Sequence, residues 1–197
     1  MPKCLASDSF CDSGTLLISR DNIAEVTEPN GSNSLDSCTD GTVGSYHVDE
    51  SVDGIKISTV GGGEFQVGAV VQVDATVWAY NPAADYADFF YANDVNQPQW
   101  QLIDTVKPTS PGANIVSAQF TLGEGPSDLQ AVRVAFRVNG VASACPTGNY
   151  DDVDDMAFVV KPLQSAPVPT VHPTRRPTLT KATKRIKALF TSSTLEN

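Results

Sequence analysis

Ala69-Val-Val-Gln-Val-Asp-Ala-Thr-Val-Trp-Ala-Tyr80 alternates apolar and polar residues for twelve positions. Successive side chains of a strand point to opposite faces, so Val71, Val73, Ala75, Val77 and Ala79 share one face and Gln72, Asp74, Thr76, Trp78 and Tyr80 the other. The first face is predicted to be core. A residue period of two with one apolar side is the mark of an antiparallel sheet covered on one face.

Moving outward, the same period recurs. Val132, Val134, Phe136 and Val138 form a second stripe, with Arg133 and Arg137 pointing the other way, and Val116, Ala118, Phe120 and Leu122 form a third. The predicted strands are Thr15-Arg20, Ser51-Val60, Ala69-Tyr80, Asp88-Asn93, Gln99-Val106, Asn114-Leu122, Leu129-Val138 and Asp155-Val160. Turns fall at Gly61-Gly63, Asn81-Pro82, Pro108-Gly112, Gly123-Pro126 and Asn139-Gly140. No stretch of this region carries an amphipathic helix. The pattern predicts an all-β, two-sheet β-sandwich, with a jelly roll expected ahead of a barrel.

The chain divides near Pro162. Up to that residue there are seven basic and 22 acidic residues, a net charge of −15; beyond it six basic residues face Glu196 alone, a net +5. Residues 1–162 are therefore expected to form the sandwich, and residues 163–178, rich in Pro, Ser and Thr, an extended linker. In residues 179–197, Leu179, Ala182, Ile186 and Leu189 recur at helical spacing among basic residues, which suits a short amphipathic helix or a solvated tail. Electrostatic contact of this tail with an acidic surface is an expected partner interaction.

Charge also excludes. A body at −15 repels phosphates, which argues against nucleic acid. No run of about 18 apolar residues is present, so no transmembrane segment is expected, and residues 1–8 lack the apolar core of a signal peptide.

Four cysteines, Cys4, Cys11, Cys38 and Cys145, allow three pairings and show neither CxxC nor zinc spacing. Cys4 with Cys11 and Cys38 with Cys145 is the favoured pairing: a short N-terminal loop, and a clamp between an early loop and the one before the last strand. Disulfides imply an oxidising compartment. Asn30-Gly-Ser32 is an N-glycosylation sequon in a turn-rich stretch. Together these predict a secreted chain whose export signal lies outside this sequence.

The sharpest chemical feature is Asp151-Asp-Val-Asp-Asp155, four carboxylates in five positions at the start of the last strand. If Met156, Phe158 and Val160 face the core, period two puts Asp152 and Asp154 on the same inward side at the rim. Several inward carboxylates need a cation or arginines, and the hard cation for many oxygens is calcium. The expected Cys38-Cys145 bridge would bring Asp36, Asp40 and Glu50 beside them. The alternative is an acidic rim balanced by water and by Arg133 or Arg137. A Ser-His-Asp site would have to be built on His47, the one histidine of the body, and no G-x-S-x-G elbow is present. For ligands, Trp78 and Tyr80, with Tyr91 and Trp100, offer flat apolar rings beside amides and carboxylates, as a sugar requires; Trp78 is equally placed to be a covered second-layer residue.

The series Asp36-Ser-Cys-Thr-Asp-Gly-Thr-Val-Gly-Ser-Tyr-His-Val-Asp-Glu-Ser51, Ala75-Thr-Val-Trp-Ala79, Asp88-Phe-Phe-Tyr-Ala92, Pro98-Gln-Trp100, Gln130-Ala-Val-Arg-Val-Ala-Phe-Arg137 and Cys145 to Asp155 resembles a β-sandwich module of secreted microbial proteins. That module occurs as a C-terminal or repeated accessory domain, often behind trypsin-like or other extracellular proteases; the resemblance spans about Cys11 to Val160. The last strand is also similar to the closing strand of jelly-roll carbohydrate-binding and MAM-like modules. That similarity implies a structural calcium on Asp154 or Asp155. The expected function is a non-catalytic, calcium-stabilised secreted module recognising extracellular carbohydrate or protein. The alternatives are a fragment of a secreted protease or other hydrolase, and a structural wall or matrix component.

Overall fold

The computed structural model describes residues 1–23, 26–29 and 33–163. Taken by themselves, residues 1–164 form one compact unit. The glycosylation candidate Asn30 and the predicted basic tail lie outside the described residues, as does the predicted linker apart from Leu163.

Nine strands are present among the described residues: β1 Lys3–Cys4, β2 Phe10–Asp12, β3 Ser51–Thr59, β4 Val70–Ala79, β5 Asp85–Ala92, β6 Gln101–Val106, β7 Gly112–Thr121, β8 Leu129–Val138 and β9 Asp152–Val159. They make a five-stranded sheet in the order β1-β9-β8-β5-β6 and a four-stranded sheet in the order β2-β3-β4-β7, packed face to face. The described residues contain no helix, and so none able to cross a membrane. The all-β sandwich expected from alternation is thus present.

Its strand order refines the jelly-roll expectation. The hairpins β3-β4, β5-β6 and β8-β9 each stay within one sheet, and β7 crosses to join β4. This three-on-four arrangement of β3-β4-β7 over β6-β5-β8-β9 is the immunoglobulin-type Greek key, not the double Greek key of a jelly roll.

The core follows from the alternation. Val71, Val73, Ala75, Val77 and Ala79 of β4 are fully buried and meet Val132, Val134 and Phe136 of β8 and Met156 and Phe158 of β9. The outer face of β4 carries a polar ladder in which Ser117 Oγ donates to Asp74 and the Gln119 amide to Gln72. The sheet containing β8 and β9 differs, because it is buried on both faces. Cys38, Phe90, Ala135 and Val153 form a second cluster on its outer side, where the loops before β3 and before β9 lie across it.

Thr15-Arg20, predicted as a strand, forms turns instead. Three adjacent apolar residues, Leu16-Leu-Ile18, cannot alternate. Leu17 enters the core, and the chain reverses through Ser19 at φ 85° to leave Arg20 fully buried. The edge position goes to the shorter β2, which pairs with β3. β1 runs parallel to β9 in the opposite sheet, so the Cys4–Cys11 disulfide joins the two sheet edges. β9 starts at Asp152, three residues earlier than predicted, and takes the acids into the strand.

Candidate functional site

The Cys38–Cys145 disulfide pairs as predicted and brings the two long loops together. Gly41 then locks them. Its amide donates to the Asp151 carbonyl at 2.7 Å and the Val43 amide to the Asn149 carbonyl at 3.0 Å. A Cβ on Gly41 would sit 2.2 Å from the Asn149 carbonyl oxygen, so only glycine permits this approach. Asp40, one residue earlier, is thereby aimed at the start of β9.

There it meets a group of buried carboxyls. Asp152 and Asp154, on the inward face of β9, are fully buried; Asp40 and Glu28 are 5% and 3% exposed. Single carboxylate oxygens of Asp21, Glu28 and Asp40 lie within 4.8 Å of one another. The backbone supplies some donors: Asp40 accepts from the amides of Asp21 and Val153, and Asp152 from that of Val52 at 2.6 Å. The Asn33 side-chain amide donates to one oxygen of Asp154. Both oxygens of Glu28, the second oxygen of Asp152 and the second of Asp154 accept no hydrogen bond of normal geometry from the described residues and face other carboxyls instead.

Side-chain contacts join Glu28 to Asp154 and Asp40 to Asp152. Two ionised carboxylates have no hydrogen atom to share, so each contact requires a proton or a cation between the oxygens. The electrostatics say the same. Burial first, then Asp40, push the Glu28 carboxyl from 4.5 up to about 8. Burial raises Asp152 and Asp154 well above the usual range, with Asp40 and Glu28 adding at Asp152, and Asp152 and Glu28 at Asp154. The fully buried Arg20 opposes part of this at Asp152; its Nη2 donates to the Val43 carbonyl, and its Nε and Nη1 have no partner. An all-oxygen donor set with surplus negative charge suits a hard divalent ion, and the absence of sulfur or imidazole disfavours zinc.

Of the six acids predicted to ligate a metal, the structure brings together Asp40, Asp152 and Asp154. The other three belong elsewhere. Asp155 faces the outer side of β9, opposite Arg133 in register, and accepts from Arg133 Nε at 2.7 Å; Asp36 accepts from its Nη2 at 2.5 Å. Arg133 thus balances these two acids on the outer face of β9, though Asp155 is fully buried and not part of a solvated rim. Glu50 contacts Asp85 at another place in the sandwich. Glu28, Asp21 and Asn33 were not predicted. They lie in a turn-rich stretch without periodicity, which the parallel bridge between Arg20 and Thr27 and the hydrogen bond from Asn33 to Asp154 bring to β9.

The predicted aromatic face is also redistributed. Trp78 is covered by His47, with ring centroids 4.2 Å apart, and Tyr46 stacks on His47 in turn. Trp100 lies under the Arg133 guanidinium and donates its indole N–H to Asp36. Tyr91 is buried against Phe120 and donates its hydroxyl to Gln130. Only Tyr80, at 62% exposure, is free for a ligand.

A Ser-His-acid relay is not assembled around His47. Its Nε2 is 2.8 Å from Asp53 Oδ2, while Ser51 Oγ donates to Asp53 Oδ1. The acid stands between histidine and serine, whereas a nucleophile needs the imidazole there.

No protein-family model matches the chain, and a search of curated proteins finds no relative.

Proposed function

We propose that this chain is a non-catalytic extracellular accessory module, held in binding form by one calcium ion that Asp21, Glu28 and Asp40 coordinate, with Asp152 and Asp154, in contact with Asp40 and Glu28, completing the oxygen set. The observation that carries this reading is the set of buried carboxylate oxygens facing one another where two loops meet the start of β9. A fold that left such groups facing one another, with Arg20 the cation beside them among the described residues, would lose several kcal/mol to desolvation and repulsion. A divalent ion of high coordination number offsets both.

The role of the ion is structural. It ties the loop of Glu28 and the loop of Asp40 to the first residues of β9, which fixes one end of the sandwich. The two disulfides agree with an oxidising, extracellular setting. An accessory role is also what the resemblance to secreted microbial β-sandwich modules implies, and recognition of carbohydrate or protein is its expected work.

The test is calorimetric titration of the calcium-stripped full chain with calcium and with magnesium. One calcium per chain, bound with magnesium at least an order of magnitude weaker and abolished by Glu28→Gln, supports the reading. Absence of saturable calcium binding refutes it.

A further inference from the structure

A second acidic site, away from the proposed ion, opens to solvent. Beside the start of β3, a cavity of about 310 Å³ is lined by Tyr80, Tyr150, Asp49, Glu50, Asn81 and Asn139 among others. That volume holds one sugar ring. Tyr80 and Tyr150 are 62% and 37% exposed. Neither ring stacks on another aromatic or carries a cation among the described residues.

The charged lining is one-signed. Glu50, 3% exposed, contacts Asp85, which is fully buried behind it and has one oxygen, Oδ1, without a partner. The other Asp85 oxygen accepts the Asn81 amide. Asp49 accepts the Ser45 amide. Among the described residues no lysine or arginine lines the cavity. Lys107 is the cation whose field reaches Asp85, yet its Nζ donates to the Ala83 carbonyl and lies over the Tyr86 ring.

We propose that this cavity binds an amino sugar: a pyranose whose protonated primary amine enters toward Glu50 and Asp85 while its ring lies against Tyr80 and Tyr150. An ammonium supplies the charge-assisted donor that the Glu50–Asp85 pair lacks, and aromatic faces beside it add cation–π attraction. The exposed tyrosines match the apolar face of a sugar ring, and the amides of Asn81 and Asn139 stand at the rim for its hydroxyls. A neutral sugar would leave the carboxyl pair uncompensated, and a bare alkylammonium would leave the amides and half of the aromatic surface unused.

The site carries its own pH dependence. Burial first, then Asp85 and Asp49, raise Glu50 from 4.5 to about 7, and burial raises Asp85. The groups facing Glu50 are Asp49 on its own segment, Asp85 of β5 with Lys107 beyond it, and the phenols of Tyr80 and Tyr150. Below about pH 7 the pair increasingly holds a proton in the place of the ammonium, so acid weakens binding.

The site rests on the reading of the chain as a binding module, and its test separates the two. The full chain, with calcium present, is titrated at pH 7.0 with the β-1,4 disaccharide of glucosamine, its N,N′-diacetyl form, cellobiose and lysine amide. The glucosamine disaccharide is expected to bind at least about tenfold more tightly than each of the others, and to lose about tenfold at pH 5.0. Tyr80→Ala and Glu50→Gln each remove that preference while keeping the calcium response of the unfolding midpoint; Trp78→Ala leaves it intact. Equal binding of the acetylated sugar, of cellobiose or of lysine amide, or no saturable binding of the glucosamine disaccharide, overturns the site. Loss of the calcium response in the wild-type chain would instead overturn the module reading, whatever the sugars do.

Discussion

Neutralising one acid of the buried group should have opposite effects with and without calcium. Asp154 lies fully buried against Glu28 and Asp152, with one oxygen that accepts no hydrogen bond from the described residues. Asp154→Asn removes a carboxyl that, without the ion, must either repel its neighbours or take up a proton, so the ion-free variant should match or exceed the wild type in thermal midpoint. With calcium the order reverses. A ligand held at about 100 times its dissociation constant stabilises the native state by about 2.7 kcal/mol. At roughly 2–4 °C per kcal/mol for a domain near 160 residues, the wild-type midpoint should rise by about 5–11 °C. Asp154→Asn should lose most of that rise. The assay is differential scanning calorimetry in calcium, in magnesium and in chelator at equal ionic strength, because a body of charge −15 is steadied by any salt. Asp104→Asn, an exposed acid on β6, is the control for charge alone. Equal midpoints in calcium, magnesium and chelator would refute the argument, as would a full calcium response in Asp154→Asn.

The ion-free chain should also depend on pH in the sense opposite to ordinary acid denaturation. Glu28 is raised from 4.5 to about 8, so between those values the native state holds a proton that the unfolded chain has released; stability is fully present below about pH 4.5 and falls as pH rises toward 8. At about 1.4 kcal/mol per unit the ceiling is about 5 kcal/mol, and urea unfolding in chelator at pH 5 and pH 8 measures it; a higher midpoint at pH 8 would contradict the assignment. Replacing both Cys38 and Cys145 by serine opens a loop of 107 residues and should cost about 4–5 kcal/mol, roughly twice the cost of opening the 7-residue separation of Cys4 and Cys11. It should weaken calcium binding as well, since that bridge holds the Asp40 loop. Arg133→Ala strands the buried Asp155 carboxylate and should cost about 3–5 kcal/mol by denaturant titration, part of which Arg133→Ala with Asp155→Ala restores.

Alternation along β4, β7 and β8 determined the sandwich, because a strand with one covered face must place apolar residues at every second position whatever its neighbours are. The same rule placed Asp152 and Asp154 inward of Met156, so half of the acid group was legible from one segment. Cysteine spacing supplied the loop clamp and, through it, Asp40. The sequence could not distinguish Asp154 from Asp155 as ion ligands except by face, and the face of Asp155 was decided by Arg133, its cross-strand partner in β8. Glu28 and Asn33 were illegible because loops have no period; their positions follow from Arg20 and Leu17 being drawn into the interior. Nor could residue type tell a binding aromatic from a structural one. Trp78 and Tyr80 have equal claim by alternation, but a histidine from the loop before β3 covers the first, and none of the described residues covers the second. Local periodicity fixes which way a side chain points, whereas what it meets there depends on segments brought from far along the chain, and only the tertiary structure decides that.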